Sequence, residues 1–163
     1  MSGTSYWRAQ DVEDVAEKLI AETHTDLAGV PIKYMFRDKA QRVRGRVELG
    51  LSRRVTGANA ALVGLVGRDK PEIDEFFVVI IAYDTWTGLN AKQRAALVDH
   101  QLSYFTIEQP EDTDKGARMG IVAPDVEEFT AVVERHGSWR PSIEFFARQA
   151  KQIPGQTSLD EAD

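Results

Sequence analysis

One run constrains the fold more than any other: "EFFVVIIAYD", Glu75 to Asp84. From Phe76 to Tyr83 nearly every residue is apolar, and most are β-branched or aromatic. Such side chains suit a pleated strand, and a run without polar alternation has to be covered on both faces. This strand is therefore expected at the centre of a sheet with further structure on either side. A chain of 163 residues can supply that cover from one core, so a single domain over residues 1–150 is expected.

The flanking sequence offers the covering elements. In "AQDVEDVAEKLIAETHTDL", Val12, Val15, Ala16, Leu19 and Ile20 recur at helical spacing, predicting a helix from Gln10 to His24. "GVPIKYMFRD" alternates Ile32, Tyr34 and Phe36 against Lys33, Met35 and Arg37, as a half-buried strand does. "RVRGRVELGLSRRV" continues the alternation through Val43, Val47, Leu49 and Leu51, predicting a second strand with bulges at Gly45 and Gly50. "NAALVGLVGRDKPEI" fits a short helix or a strand equally. Asn90, with Gln93 three residues on, makes a capping box that opens a helix from Ala91 to Phe105. The polar "TIEQPEDTDKGA" reads as a solvated loop, lacking the spacing of a calcium loop, and "RMGIV" as a short strand. Asp125 caps a helix carrying Val126, Phe129, Val132 and Val133, which stops at Gly137, and Pro141 opens a last helix. Residues 151–163 carry too little apolar surface to offset their ordering entropy and are expected to be a disordered tail.

Composition narrows the chemistry. The chain has no cysteine, so a metal could be held only by His, Asp or Glu, and there are three histidines: His24, His100 and His136. His24 and His136 each stand near a helix end, where an imidazole complements the dipole. No apolar run approaches the ~18 residues that span a bilayer. The first ten residues lack the basic start and apolar stretch of a secretory signal, which leads to the expectation of a cytoplasmic protein away from membranes. Net charge is −6, yet Lys33 to Arg54 holds eight basic residues against Asp38 and Glu48, leaving −12 on the remainder. Arg42, Arg44, Arg46, Arg53 and Arg54 are the candidates for phosphate contacts, the plainer alternative being a solvated outer face on two strands. Trp7, Trp86 and Trp139 are expected in core or rim packing, and one left exposed would mark a binding surface.

The most unusual motif is "LVDHQLSYF", Leu97 to Phe105. In a His-Glu-x-x-His helix, two imidazoles four residues apart hold zinc, and the Glu deprotonates the metal-bound water. Here the same frame holds His100, Gln101 and Tyr104. Together with "VVIIAYDTW", "GLNAKQRAALVDH", "DVEEF" and "RHG", in that order, the segment from about Tyr6 to Phe146 resembles the phage metallopeptidase family, small zincin-like proteins with a layout like that of SprT-type domains. The resemblance implies an α+β zincin-like domain: a small mixed sheet packed with an N-terminal helix, a central site helix and C-terminal helices.

The departures from that pattern lie in the site. The resemblance implies a Glu where Gln101 stands, a second His where Tyr104 stands and a further His where Pro124 stands, while Glu127 and Glu128 remain. An amide cannot act as general base, and a phenol of pKa ~10 is a poor zinc ligand at neutral pH. His100 alone is left as a weak metal candidate, so the zinc implied by the resemblance is expected to be lost and the chain to be catalytically inactive. Gln101 and Tyr104 are then expected to hydrogen-bond in a packed interior, and His100 to orient a neighbouring carboxylate. Three uses remain open. One is a module binding a host or phage protein, such as a host enzyme or defence component; another is a zinc peptidase with an atypical ligand set; the third is a nucleic-acid module using the basic segment.

Overall fold

In the computed structural model, residues 3–64, 75–111 and 116–152 are described. They fall into two compact units, residues 1–122 and 123–163. The first unit is built on a four-stranded mixed sheet in the order β1-β2-β6-β5, from β1 (Tyr6–Arg8), β2 (Ile32–Arg37), β5 (Gly50–Thr56) and β6 (Glu75–Ala82). β2 and β6 run parallel, with Ile32 opposite Phe77 and Arg37 opposite Ala82. β1 and β5 flank them antiparallel. The apolar run is indeed internal, and six of its eight strand residues are buried.

Parity along the strands sorts the sheet into two faces. Phe77, Val79 and Ile81 of β6, with Tyr34 and Phe36 of β2, face the main core. That core is closed by Val12 and Ala16 of α1 (Gln10–Glu22) and by Val98 and Leu102 of α4 (Ala91–Leu102). Phe76 and Val78 face the other way, with Met35, Val55 and Ile80 packed against them and Ala60 of α2 (Gly57–Gly64) above. The ambiguous "NAALVG" is thus helical, and 65–74 lie outside the described residues. Tyr83 does not extend the strand; it opens α3 (Tyr83–Gly88), which buries Trp86.

The stretch expected to be one bulged strand is three. β3 (Gln41–Val43) and β4 (Arg46–Glu48) pair as a hairpin, and β5 follows. Arg44 and Gly45 form the hairpin turn with φ of 50° and 79°, the double positive φ of a two-residue turn. Gly45 therefore serves as turn rather than bulge. The site helix also stops earlier than predicted, because Phe105 leaves it to open β7 (Phe105–Glu108), which pairs with β8 (Arg118–Ile121). Phe105 stacks on Phe77 with ring centroids 4.0 Å apart, so sheet packing wins over one more helical turn. The polar loop accordingly begins after a strand, and residues 112–115 lie outside the described set.

The second unit contains α5 (Thr130–His136) and α6 (Pro141–Lys151). Asp125 does not cap α5, which begins five residues later. Phe129 is the capping residue, with its N–H donated to the Glu128 carboxylate, while the Glu127 carbonyl accepts from Arg140. These bonds satisfy the backbone in a non-helical path, removing the gain from an earlier turn. Gly137 ends the helix with φ 63°, as expected, and α6 has its first-turn proline. Of the tail expected over 151–163, Lys151 instead closes α6 and Gln152 caps it, while 153–163 lie outside the described residues; among those described no helix is long and apolar enough to cross a membrane.

Candidate functional site: the altered helix and its surroundings

The capping box that opens α4 is present in both directions. Asn90 Oδ1 accepts from the Gln93 N–H at 2.9 Å, and the Asn90 N–H donates to Gln93 Oε1 at 3.0 Å. The helix is thereby fixed in register, with Val98 and Leu102 sunk into the core. Gln101 sits between these anchors and is only 3% exposed, the one fully buried polar side chain among the described residues. Its oxygens are claimed by β5: Ser52 Oγ lies 2.7 Å from Gln101 Oε1 and 2.9 Å from the Gln101 carbonyl. Space for the amide exists because the facing strand residue is Gly50, where a Cβ would stand 2.7 Å from Gln101 Nε2. Gly50 thus admits a close approach of helix to strand rather than forming a bulge.

His100 and Tyr104 meet edge to face, with ring centroids 5.3 Å apart and planes at 87°. His100 is exposed, and its imidazole bonds no carboxylate among the described residues. Tyr104 lies two residues beyond the helix end; its carbonyl accepts from the Val122 N–H at 2.8 Å. Residue 104 therefore belongs to the approach to β7, yet its ring stays beside that of His100, so what a two-imidazole site lacks at this position is the imidazole itself. The interior role expected of Gln101 is realised through Ser52, whereas the carboxylate-orienting role expected of His100 is carried by another histidine.

That histidine is His24. It follows the end of α1 rather than complementing its last turn, and its Nε2 lies 2.6 Å from Asp99 Oδ1. The His24 side chain is 15% exposed and that of Asp99 46%. The pair ties α1 to the site helix, and sequence gave no signal for it beyond Asp99 preceding His100. His136 does occupy the last turn of α5, with Arg135.

The remaining candidates are distributed. Pro124, Glu127 and Glu128 belong to the second unit. Arg42, Arg44 and Arg46 are exposed on the β3–β4 hairpin and Arg53 is exposed on β5. Arg54 stands apart from them: it donates to the Met119 carbonyl and lies 3.8 Å from Glu75. Trp86 is buried and Trp7, 38% exposed, packs at the rim of the core, as expected, whereas Trp139 is 54% exposed. Trp7 makes a cluster with Tyr83, at 5.2 Å, and Phe36, at 5.9 Å.

The donor set does not fit the zinc of a His-Glu-x-x-His helix. The general-base position carries a neutral amide already bonded to Ser52, and the second ligand position carries a phenol in ring contact with His100. No group of three or more His, Asp or Glu that could hold a metal ion occurs among the described residues. A model of a protein family described as putative phage metallopeptidase matches residues 4–151. No curated protein and no solved structure matches the chain.

Proposed function

The chain belongs to the phage metallopeptidase family, and we propose that it is a non-catalytic member that works by binding another protein. The observation that carries this proposal is the buried Gln101 amide at the place of the general base, held by Ser52. Hydrolysis by a zinc-bound water needs a group that takes the water's proton, and an amide has no basicity at neutral pH. Binding is supported by the aromatic cluster at the β1 edge. Trp7 and Tyr83 are each at least 38% exposed, and Phe36 backs both so that their rings are held in place. Exposed Trp and Tyr pre-positioned in this way are the residues that dominate protein interfaces, since they bury large area at little entropic cost. The partner we favour is a host or phage protein.

Two measurements test the proposal. Protein purified without chelator and analysed for metal is expected to hold zinc well below one equivalent. Stoichiometric zinc that disappears in His100→Ala, together with chelator-sensitive cleavage of a polypeptide, would establish the atypical peptidase instead. Capture from a host lysate should yield a partner that Trp7→Ala/Tyr83→Ala fails to retain, and equal retention by that variant would remove the aromatic cluster from the account.

A further inference from the structure

The charge asymmetry of the sequence acquires a direction in space. On the α2 side of the sheet, parity places Lys33 and Arg37 of β2 and Arg53 of β5, and no residue of the four sheet strands on this face is acidic, while Arg8 of β1 is paired with Glu13 of α1 at 3.0 Å. Lys33 lies over the Phe76 ring at 5.5 Å, which confirms the side on which it projects. The base of the β3–β4 hairpin borders the same face: Gln41 and Glu48 line a hollow of about 40 Å³ with Tyr6, Arg37, Lys39 and Ile80. From there the hairpin carries Arg42, Arg44 and Arg46, each exposed. Among the described residues none of these three, nor Arg53, makes an ion pair or a side-chain hydrogen bond.

In the hairpin register, Arg42 stands opposite Val47 and Arg46 opposite Val43. Successive strand residues point to opposite faces, so Arg42 and Arg46 project from the two faces of the ribbon. Arg44 sits in the turn between them. Each strand has three residues, which at ~3.3 Å per residue gives a reach of about 10 Å. The major groove of duplex DNA is about 12 Å wide and about 8.5 Å deep, and admits a two-stranded ribbon. A ribbon with one guanidinium on each face and one at its tip meets two phosphate walls and the groove floor at once.

We propose that the β3–β4 hairpin is a DNA-contacting ribbon, with Arg42 and Arg46 on the phosphates, Arg44 in the groove, and the Arg53 face of the sheet tracking the adjoining backbone. This goes beyond the protein-binding function and does not depend on it. A net charge of −6 repels DNA from the rest of the surface, so the contact is weak and steeply salt-dependent. Three phosphate-neutralising arginines give a slope of log affinity on log salt of roughly −2.7, a loss of ~40-fold between about 50 and about 200 mM salt.

The test is fluorescence anisotropy with the full chain and a labelled duplex of about 20 base pairs, roughly two turns. One variant combines Arg42→Ala, Arg44→Gly and Arg46→Ala; glycine retains the positive φ that Arg44 adopts in the turn. A second removes the same charge elsewhere through Lys92→Ala, Arg118→Ala and Arg135→Ala. The wild type and the second variant are expected to bind at about 50 mM salt with the steep slope, and the hairpin variant to lose at least tenfold. Absence of binding by the wild type, or equal loss in both variants, overturns the proposal. Hairpin-dependent binding to phosphatidylserine vesicles without binding to the duplex also overturns it, and assigns the ribbon to a lipid surface.

Discussion

Adding one methyl group to Gly50 should separate a structural from a dispensable Gln101. The Cβ of Gly50→Ala would lie 2.7 Å from Gln101 Nε2, 2.9 Å from Gln101 Cδ and 2.9 Å from Ile81 Cδ1. Gln101 is 3% exposed and Ile81 fully buried, so neither neighbour can swing into solvent. Overpacking of this kind costs about 2 kcal/mol, within the usual range of ~1–3. Gln101→Ala removes the Ser52 hydrogen bond and opens space in the core, at a cost again of about 2 kcal/mol. If the two residues occupy one shared volume, the double variant should lose about 2–3 kcal/mol rather than the sum of about 4, since the new methyl enters the space vacated by the amide. The contact with Ile81 remains, which is why the rescue is incomplete. Urea unfolding of the four proteins, followed by circular dichroism and extrapolated linearly, measures the cycle. Additivity within about 0.5 kcal/mol would refute the packing of Gln101 against β5, and with it the reason the amide is held away from any substrate.

Two further outcomes follow from buried polar groups. Burial, together with Glu13 and Glu17 nearby, pushes the Tyr34 phenol well above its ordinary value. The folded state thus holds the proton more tightly than the unfolded one, so its stability contribution is intact below pH ~10 and falls above it by up to ~1.4 kcal/mol per pH unit. The stability difference between wild type and Tyr34→Phe should be flat at neutral pH and decline beyond pH ~10, and a flat difference throughout would place the phenol in contact with solvent. His24→Ala should cost about 1–2 kcal/mol by freeing Asp99, discounted for the exposure of that carboxylate. Adding Asp99→Ala to His24→Ala should then change thermal stability little, whereas a further equal loss would show that the 2.6 Å pair is not the source of the effect.

What could be read from the sequence follows the range of the forces involved. The central strand β6, the helix α1 and the capping box of α4 are encoded by residues close to one another, and each stands within a residue or two of where its pattern placed it. β1 was missed because "YWR" is too short to display a period of two. The start of α5 was misplaced because Asp125 satisfies the composition of a cap, while the decisive bond comes from Arg140, thirteen residues from the carbonyl it binds. The site was half legible. Gln101 was recognisable as a departure from a general base, but Ser52 lies 49 residues away and His24 lies 75 from Asp99, so nothing local announces either bond.

Those distant partners show why the departures in the site belong together. A carboxylate in place of the Gln101 amide would be ionised in a position 3% exposed, beside an oxygen-bearing Ser52 and the backbone of Gly50, with no cation bonded there among the described residues. Desolvating such a charge costs several kcal/mol unless a metal or a base repays it, and the second imidazole that would help hold the metal is replaced by Tyr104, outside the helix. Once residue 104 leads into β7, neutral packing at residue 101 becomes the stable choice, and Ser52 supplies the single hydroxyl that the amide oxygen needs. The same dependence predicts that Gln101→Glu alone destabilises the chain at neutral pH and less so in acid, where the carboxyl is protonated. Urea midpoints at pH ~7 and pH ~4 measure it, and a Gln101→Glu protein as stable as the wild type at neutral pH would mean that this position still accommodates a charged base.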